Sequence, residues 1–129
     1  MNRFWVLFLS VIVFISCEKD STNNMLYELL DKTQSGIDFE NNLSYNQDFN
    51  VYKYRNYYNG GGVAMGDINN DGLIDVYLTA NQKRNKLYLN KGDFKFEDIS
   101  EFSNSSGQKA WSTGVTMVDI NNDGFLDIY

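Results

Sequence analysis

The chain has 129 residues, with 17 acidic side chains against 11 basic ones, a single cysteine and no histidine. That length supports one small domain, and an acidic balance with no basic stripe argues against nucleic acid as a partner. Without histidine, neither a Ser-His-Asp nor a Cys-His catalytic arrangement can form within the chain.

The N-terminus reads as a targeting segment. Arg3 precedes an apolar run, Phe4 to Ile15, broken only by Ser10. The run is shorter than the roughly 20 residues that cross a bilayer, and it fits the core of a secretory signal peptide. Cys17 follows the small Ser16 directly, as in a bacterial lipobox, where the signal is cut before a cysteine whose thiol is then lipidated. Residues 1–16 are therefore expected to be a lipoprotein signal peptide and Cys17 the lipidation site. The exported protein would sit at the outer membrane or cell surface, held to the membrane by a lipid anchor rather than a span. The alternative for Cys17 is an ordinary buried cysteine at the end of the leader.

Residues 17–35 are expected to be a linker and short helix. Residues 18–24 are polar, and the spacing of Met25, Leu26, Leu29 and Leu30 predicts a helix from Met25 to Thr33 with Asn24 as N-cap. Alternation over Phe49-Asn50-Val51-Tyr52-Lys53-Tyr54 predicts a strand. Tyr52, Tyr54, Tyr57 and Tyr58 suit either a sugar-stacking surface or packing on a β-surface, and packing is the commoner use. Gly60-Gly61-Gly62 leads into a strand rather than a helix N-terminus, so it reads as a tight turn, not a phosphate cradle.

Further strands are predicted at Ile74 to Ala80, Lys86 to Asn90 and Phe94 to Ile99. Turns at Asn81–Asn85 and Lys91-Gly92-Asp93 separate them, and Ser100 to Lys109 is a loop. Trp111 to Val118 opens the next unit. Lys83, Arg84 and Lys86 form a small basic cluster expected at a solvated hairpin tip.

The most informative pattern is a duplication. Asp67-Ile68-Asn69-Asn70-Asp71-Gly72-Leu73-Ile74-Asp75 returns 52 residues later as Asp119-Ile120-Asn121-Asn122-Asp123-Gly124-Phe125-Leu126-Asp127. Six of the 17 acidic residues lie in these two loops, so a loaded form would be closer to neutral. A loop curling round a hard cation such as Ca2+ offers alternate side-chain oxygens and a glycine at the sharpest bend. The expected metal-binding residues are Asp67, Asn69, Asp71, the carbonyl of Leu73, and Asp75. In the second copy they are Asp119, Asn121, Asp123, the carbonyl of Phe125, and Asp127. Crowded carboxylates repel, so without the ion one would take up a proton or the loop would open. Ion binding should thus be coupled to local folding.

An EF-hand loop needs a bidentate Glu at its twelfth position, where this chain has Leu78, and it needs flanking helices where this chain has β-branched and aromatic segments. A metal-free polar turn remains an alternative. So does a dockerin-like interaction module, which predicts a helix after each loop. Four short strands fit the repeat distance, as in one propeller blade.

These residues resemble FG-GAP/VCBS repeats, the calcium-loop blades of integrin alpha-type β-propellers. The resemblance rests on Gly62-Val63-Ala64-Met65-Gly66 and Gly114 to Val118 before the two loops, and on Asn85-Lys86-Leu87-Tyr88-Leu89-Asn90-Lys91-Gly92-Asp93-Phe94. Tyr57 to Ala64, Gly36-Ile37-Asp38-Phe39 and the leader look like bacterial secreted lipoproteins of the ASPIC/UnbV type. The resemblance implies an all-β fold over residues 36–129: a partial β-propeller of about one and a half blades, where a closed one has about four to eight. The chain is accordingly expected to be a piece of a longer protein. It implies structural Ca2+, a non-enzymatic binding or adhesion role, and an extracellular protein or carbohydrate ligand. A part of a larger propeller enzyme acting on polysaccharide is the alternative.

Overall fold

A computed structural model of the chain describes residues 26–108 and 111–129. The signal peptide, Cys17, the linker, Asn24 and Met25 lie outside the described residues. The elements are α1 (Lys32–Ser35), β1 (Val63–Gly66), β2 (Asp75–Leu78), β3 (Lys86–Asn90), β4 (Phe96–Asp98), β5 (Met117–Val118) and β6 (Asp127–Ile128). β1 to β4 form one antiparallel meander in sequence order, and β5 pairs with β6 in a second sheet. Val63 faces Leu78 and Gly66 faces Asp75 across the first hairpin, while Met117 faces Ile128 and Val118 faces Asp127 across the last. The described residues thus form one four-stranded blade followed by the opening hairpin of another, with almost no helix. Among the described residues no helix is long and apolar enough to cross a membrane.

Two expectations fail. The helix predicted over Met25 to Thr33 is instead a single turn, Lys32–Ser35. Asp31 accepts from the backbone N–H of Thr33 and Gln34, and the Gln34 side chain accepts from the Asp31 N–H, so a capping box starts the turn there. Leu26 and Leu29 are more than nine-tenths exposed. An apolar stripe with nothing to cover it does not stabilise a short helix.

The strand predicted over Phe49–Tyr54 is a run of turns. Asn46 Oδ1 accepts from the N–H of Asp48 and Phe49, and Asn50 Oδ1 from Tyr52 and Lys53. Asparagine side chains that bond the backbone two and three residues on compete with a ladder. The apolar alternation survives in a different use. Phe49, Tyr54 and Tyr57 pack around Trp111 with ring centroids 5.0, 5.4 and 5.4 Å away. Tyr54 and Tyr57 are therefore packing residues, whereas Tyr52 and Tyr58 stay exposed.

Other strands are shorter than predicted. β4 begins only at Phe96 because Asp93 and Phe94 take positive φ in the turn after Gly92. β5 is two residues long, although the ladder is extended by reciprocal bonds between Thr116 and Tyr129 at 2.9 and 3.0 Å.

The apolar core is small. Ala64, Tyr77 and Leu87 of the first sheet are covered by Ile68, Ile99, Val115, Met117 and Ile128, so the second unit supplies part of the first unit's core. Among the described residues the buried polar side chains outnumber the buried apolar ones, seven to six, and each must find partners to be tolerated there. Thr79, after β2, accepts from the Gly62 N–H at 2.6 Å and donates to the Thr113 carbonyl at 3.0 Å. Asn81 reaches three separate segments (below). A Cβ at Gly61 would stand 2.0 Å from the Thr79 carbonyl oxygen, so the glycine run lets two backbones touch, as expected of a close approach.

Candidate metal-binding loops

Each duplicated loop joins the two strands of a hairpin: residues 67–74 link β1 to β2, and 119–126 link β5 to β6. The two have the same internal geometry. Asp67 takes the Asp71 N–H on Oδ1 at 3.1 Å and the Gly72 N–H on Oδ2 at 2.8 Å, and Asp119 takes those of Asp123 and Gly124 at 3.1 and 2.9 Å. Asn69 and Asn121 Oδ1 accept from the same Asp71 and Asp123 amides. Asp71 Oδ1 accepts from the Leu73 N–H, and Asp123 Oδ1 from Phe125. Asn70 and Asn122 both have φ of 60°, and Gly72 and Gly124 have 86° and 90°. Asparagine and glycine are the residues that take this left-handed region readily.

The side chains at alternate positions therefore converge on the inside of the curl, as a cation cradle requires. Asn69, Asp71, Asn121 and Asp123 are exposed and Asp67 and Asp119 half-buried. Every carboxylate oxygen engaged once by an amide keeps a further lone pair.

The structure also separates the closing aspartates from the rest. Asp75 is fully buried; its Oδ2 accepts from the Ile68 N–H at 3.0 Å and its Oδ1 from the Asn90 N–H at 2.8 Å. It braces the loop to β3. Asp127 keeps the equivalent bond to the Ile120 N–H at 3.0 Å and is half-buried. Among the described residues no group of three or more acids, histidines or cysteines is arranged to hold a metal. The exposed part of each loop offers two carboxylates, an amide oxygen and main-chain carbonyls. That all-oxygen set fits Ca2+, which accepts amide and carbonyl oxygens alongside carboxylates.

Electrostatics do not follow the repulsion expected from sequence at two of the carboxylates. The Asn69 amide and then the Leu73 N–H hold Asp71 below the usual carboxylate range. The Phe125 N–H and then the Asn121 amide do the same for Asp123. Local donors outweigh the desolvation that would raise each carboxyl.

Sequence reading missed three contributors. Asn90 closes the loop from outside by its N–H to Asp75 and its side-chain bond to the Ile74 carbonyl at 2.9 Å; its place in the Asn-Lys-Gly turn was the available signal. Asn81 joins the two units from a buried position, with no sequence signal. Asn70 contacts the other loop, which only a packed structure shows. The basic cluster is partly neutralised: Lys86 pairs with Asp98 at 2.6 Å and Arg84 lies 3.9 Å from Glu101.

A family model described as FG-GAP-like repeat matches residues 67–129. Cartilage acidic protein 1 of Xenopus tropicalis is 36% identical over 74 residues, 57% of this chain. The chain spans 11% of that relative's length. No solved structure matches.

Proposed function

We infer that this chain, whose residues 67–129 are FG-GAP-like repeats, is a calcium-braced, non-catalytic binding module of an exported β-propeller protein. The observation that carries the reading is the pair of loops with the same nine-residue pattern and the same internal hydrogen bonds. Asp67, Asn69, Asp71 and the Leu73 carbonyl would hold one ion, with Asp75 bracing the loop behind them through the Ile68 and Asn90 N–H. Asp119, Asn121, Asp123, the Phe125 carbonyl and Asp127 would hold the other. The ion's role is structural, neutralising the crowded acids and cross-bracing each hairpin. The β-ribbon and its loops would offer surfaces for a protein or carbohydrate ligand.

The test is a CaCl2 titration by calorimetry, with melting in Ca2+ and in EDTA. Affinity on the order of 10⁻⁴–10⁻³ M is expected, as for extracellular modules. At a hundredfold excess over Kd each site then adds about 2.7 kcal/mol. Asp71→Ala with Asp123→Ala should abolish both the binding heat and the Ca2+-dependent rise in Tm. A melting temperature indifferent to Ca2+, EDTA and the double substitution would sink the reading.

Membrane attachment has its own test. With Cys17 as the lipidated residue, Cys17→Ser should move the protein from the detergent-extracted membrane fraction to the aqueous one. Retention in the membrane fraction would point to a different anchor.

A further inference from the structure

Asn70 occupies the fourth place of the first loop, an even position that the inward-facing cradle of Asp67, Asn69 and Asp71 does not use. Its side chain does something else. Asn70 Nδ2 donates to the main-chain carbonyl of Gly124, in the second loop, at 3.0 Å across 54 residues of sequence. Among the described residues it is the one side-chain hydrogen bond between the two loops.

The bond falls at a sensitive point. The Gly124 carbonyl belongs to the peptide unit that links Gly124 to Phe125. The N–H of that same unit donates to Asp123 Oδ1 at 2.9 Å. One peptide plane is thus clamped at both ends, by Asn70 on oxygen and Asp123 on nitrogen. The next carbonyl along the chain is that of Phe125, the main-chain donor expected at the seventh place. In the first loop the equivalent plane, Gly72 to Leu73, is held at its nitrogen by Asp71, and no donor to the Gly72 carbonyl stands among the described residues. The two loops share a sequence pattern but are not equally constrained.

A second contact keeps the units in register. A Cβ at Gly66, just before the first loop, would lie 2.6 Å from Leu126 Cδ1 and 3.1 Å from Met117 Sδ. Leu126 sits in the second loop and Met117 in β5, so the absence of a side chain at Gly66 brings the second hairpin close enough for the Asn70 bond.

We propose that Asn70 is a positioning residue that lets the first loop preorganise the ion site of the second. The inference rests on the calcium reading above. Its consequence is a common loss at the second loop: losing the Asn70 amide weakens that ion site whatever replaces it, while the first loop keeps its own donors and responds only to the charge or flexibility of the replacement. Freezing a glycine-containing peptide before the ion arrives reduces the ordering that binding must supply. The net worth of one neutral hydrogen bond corresponds to roughly a three- to tenfold change in affinity.

The experiment follows the backbone amide resonances of Gly72 and Gly124 in the full chain during a CaCl2 titration, so each loop reports its own occupancy. Asn70→Asp keeps a residue tolerant of positive φ but sets an acceptor against the Gly124 carbonyl. Asn70→Gly keeps φ and removes the amide. Both should weaken the Gly124 titration roughly three- to tenfold. The Gly72 titration should diverge between them, strengthened by the added carboxylate and weakened by the added flexibility. In EDTA, hydrogen exchange at the Phe125 amide should rise in both variants relative to wild type. A Gly124 titration unmoved in both variants overturns the proposal, as does unchanged Phe125 exchange. Wild-type chain showing no Ca2+ shift at either glycine overturns the calcium reading and the ion-positioning role with it. A Phe125 exchange change in that case would leave Asn70 as a purely mechanical latch.

Discussion

Asp75→Ala should cost this fold about 3–5 kcal/mol, more than any other single substitution in either loop, because a fully buried carboxylate is lost and two half-buried backbone donors lose their partner at once. Asp75 has no exposed surface, and its oxygens serve Ile68 N–H within the loop and Asn90 N–H in β3. Removing it leaves both half-buried amides without their carboxylate partner and opens a gap where a fully buried side chain stood. For a domain of this size the loss corresponds to a drop of roughly 15–30 °C in Tm. Asp127→Ala is the internal control: the same sequence position, but half-buried and holding one backbone amide, Ile120. Its cost should be about 1–2 kcal/mol. Asp75→Asn should fall between the two, since its amide group can accept from only one of the two donors. Thermal and urea unfolding of the three variants in EDTA, which removes any metal contribution, gives the comparison. Equal losses at positions 75 and 127 would show that the bond to Asn90 contributes nothing.

The second large effect is expected at Asn81. Its side chain donates to the carbonyls of Gly60 and Ser112, both at 2.9 Å, and accepts from Asn41 Nδ2 at 2.6 Å. Its own N–H is taken by Asn41 Oδ1 at 3.0 Å. One buried amide therefore ties the blade to the segment before it, to the glycine turn and to the strand region that opens the next unit. Asn81→Asp keeps the size but points a carboxylate at two carbonyl oxygens, reversing the dipoles. We expect a loss of about 3–5 kcal/mol from the unpaired carbonyls and the buried charge. Asn81→Leu removes the repulsion and should cost less, about 2–4 kcal/mol. Asn42→Ala, exposed and close by in sequence, should stay within about 0.5 kcal/mol. If both Asn81 variants unfold at the wild-type urea midpoint, the polar link is not what joins the units.

The contrast between positions 75 and 127 shows how far the sequence reading reached. Both aspartates were placed at the closing position of a strand-to-strand loop, and both lie there. The β3 strand, Lys86–Asn90, was predicted to its end residues, because alternating large apolar side chains between an asparagine turn and a Lys-Gly turn leave little choice. The predicted helix and the Phe49–Tyr54 strand failed for different reasons. Leu26 and Leu29 found no surface to cover them, and the Asn46 and Asn50 side chains took up the backbone N–H groups around Phe49 in turns.

By itself, then, the sequence determined the repeat, the hairpins and the inward set of oxygens in each loop. These follow from residue order over nine positions, where glycine, asparagine and alternate side chains dictate the backbone path. The inequality between copies came from packing: Asp75 is held against Asn90, and Asn70 is bound to the Gly124 carbonyl. Those bonds join residues 15 and 54 positions apart. No local pattern encodes them, because they exist only once the strands and hairpins have packed against one another.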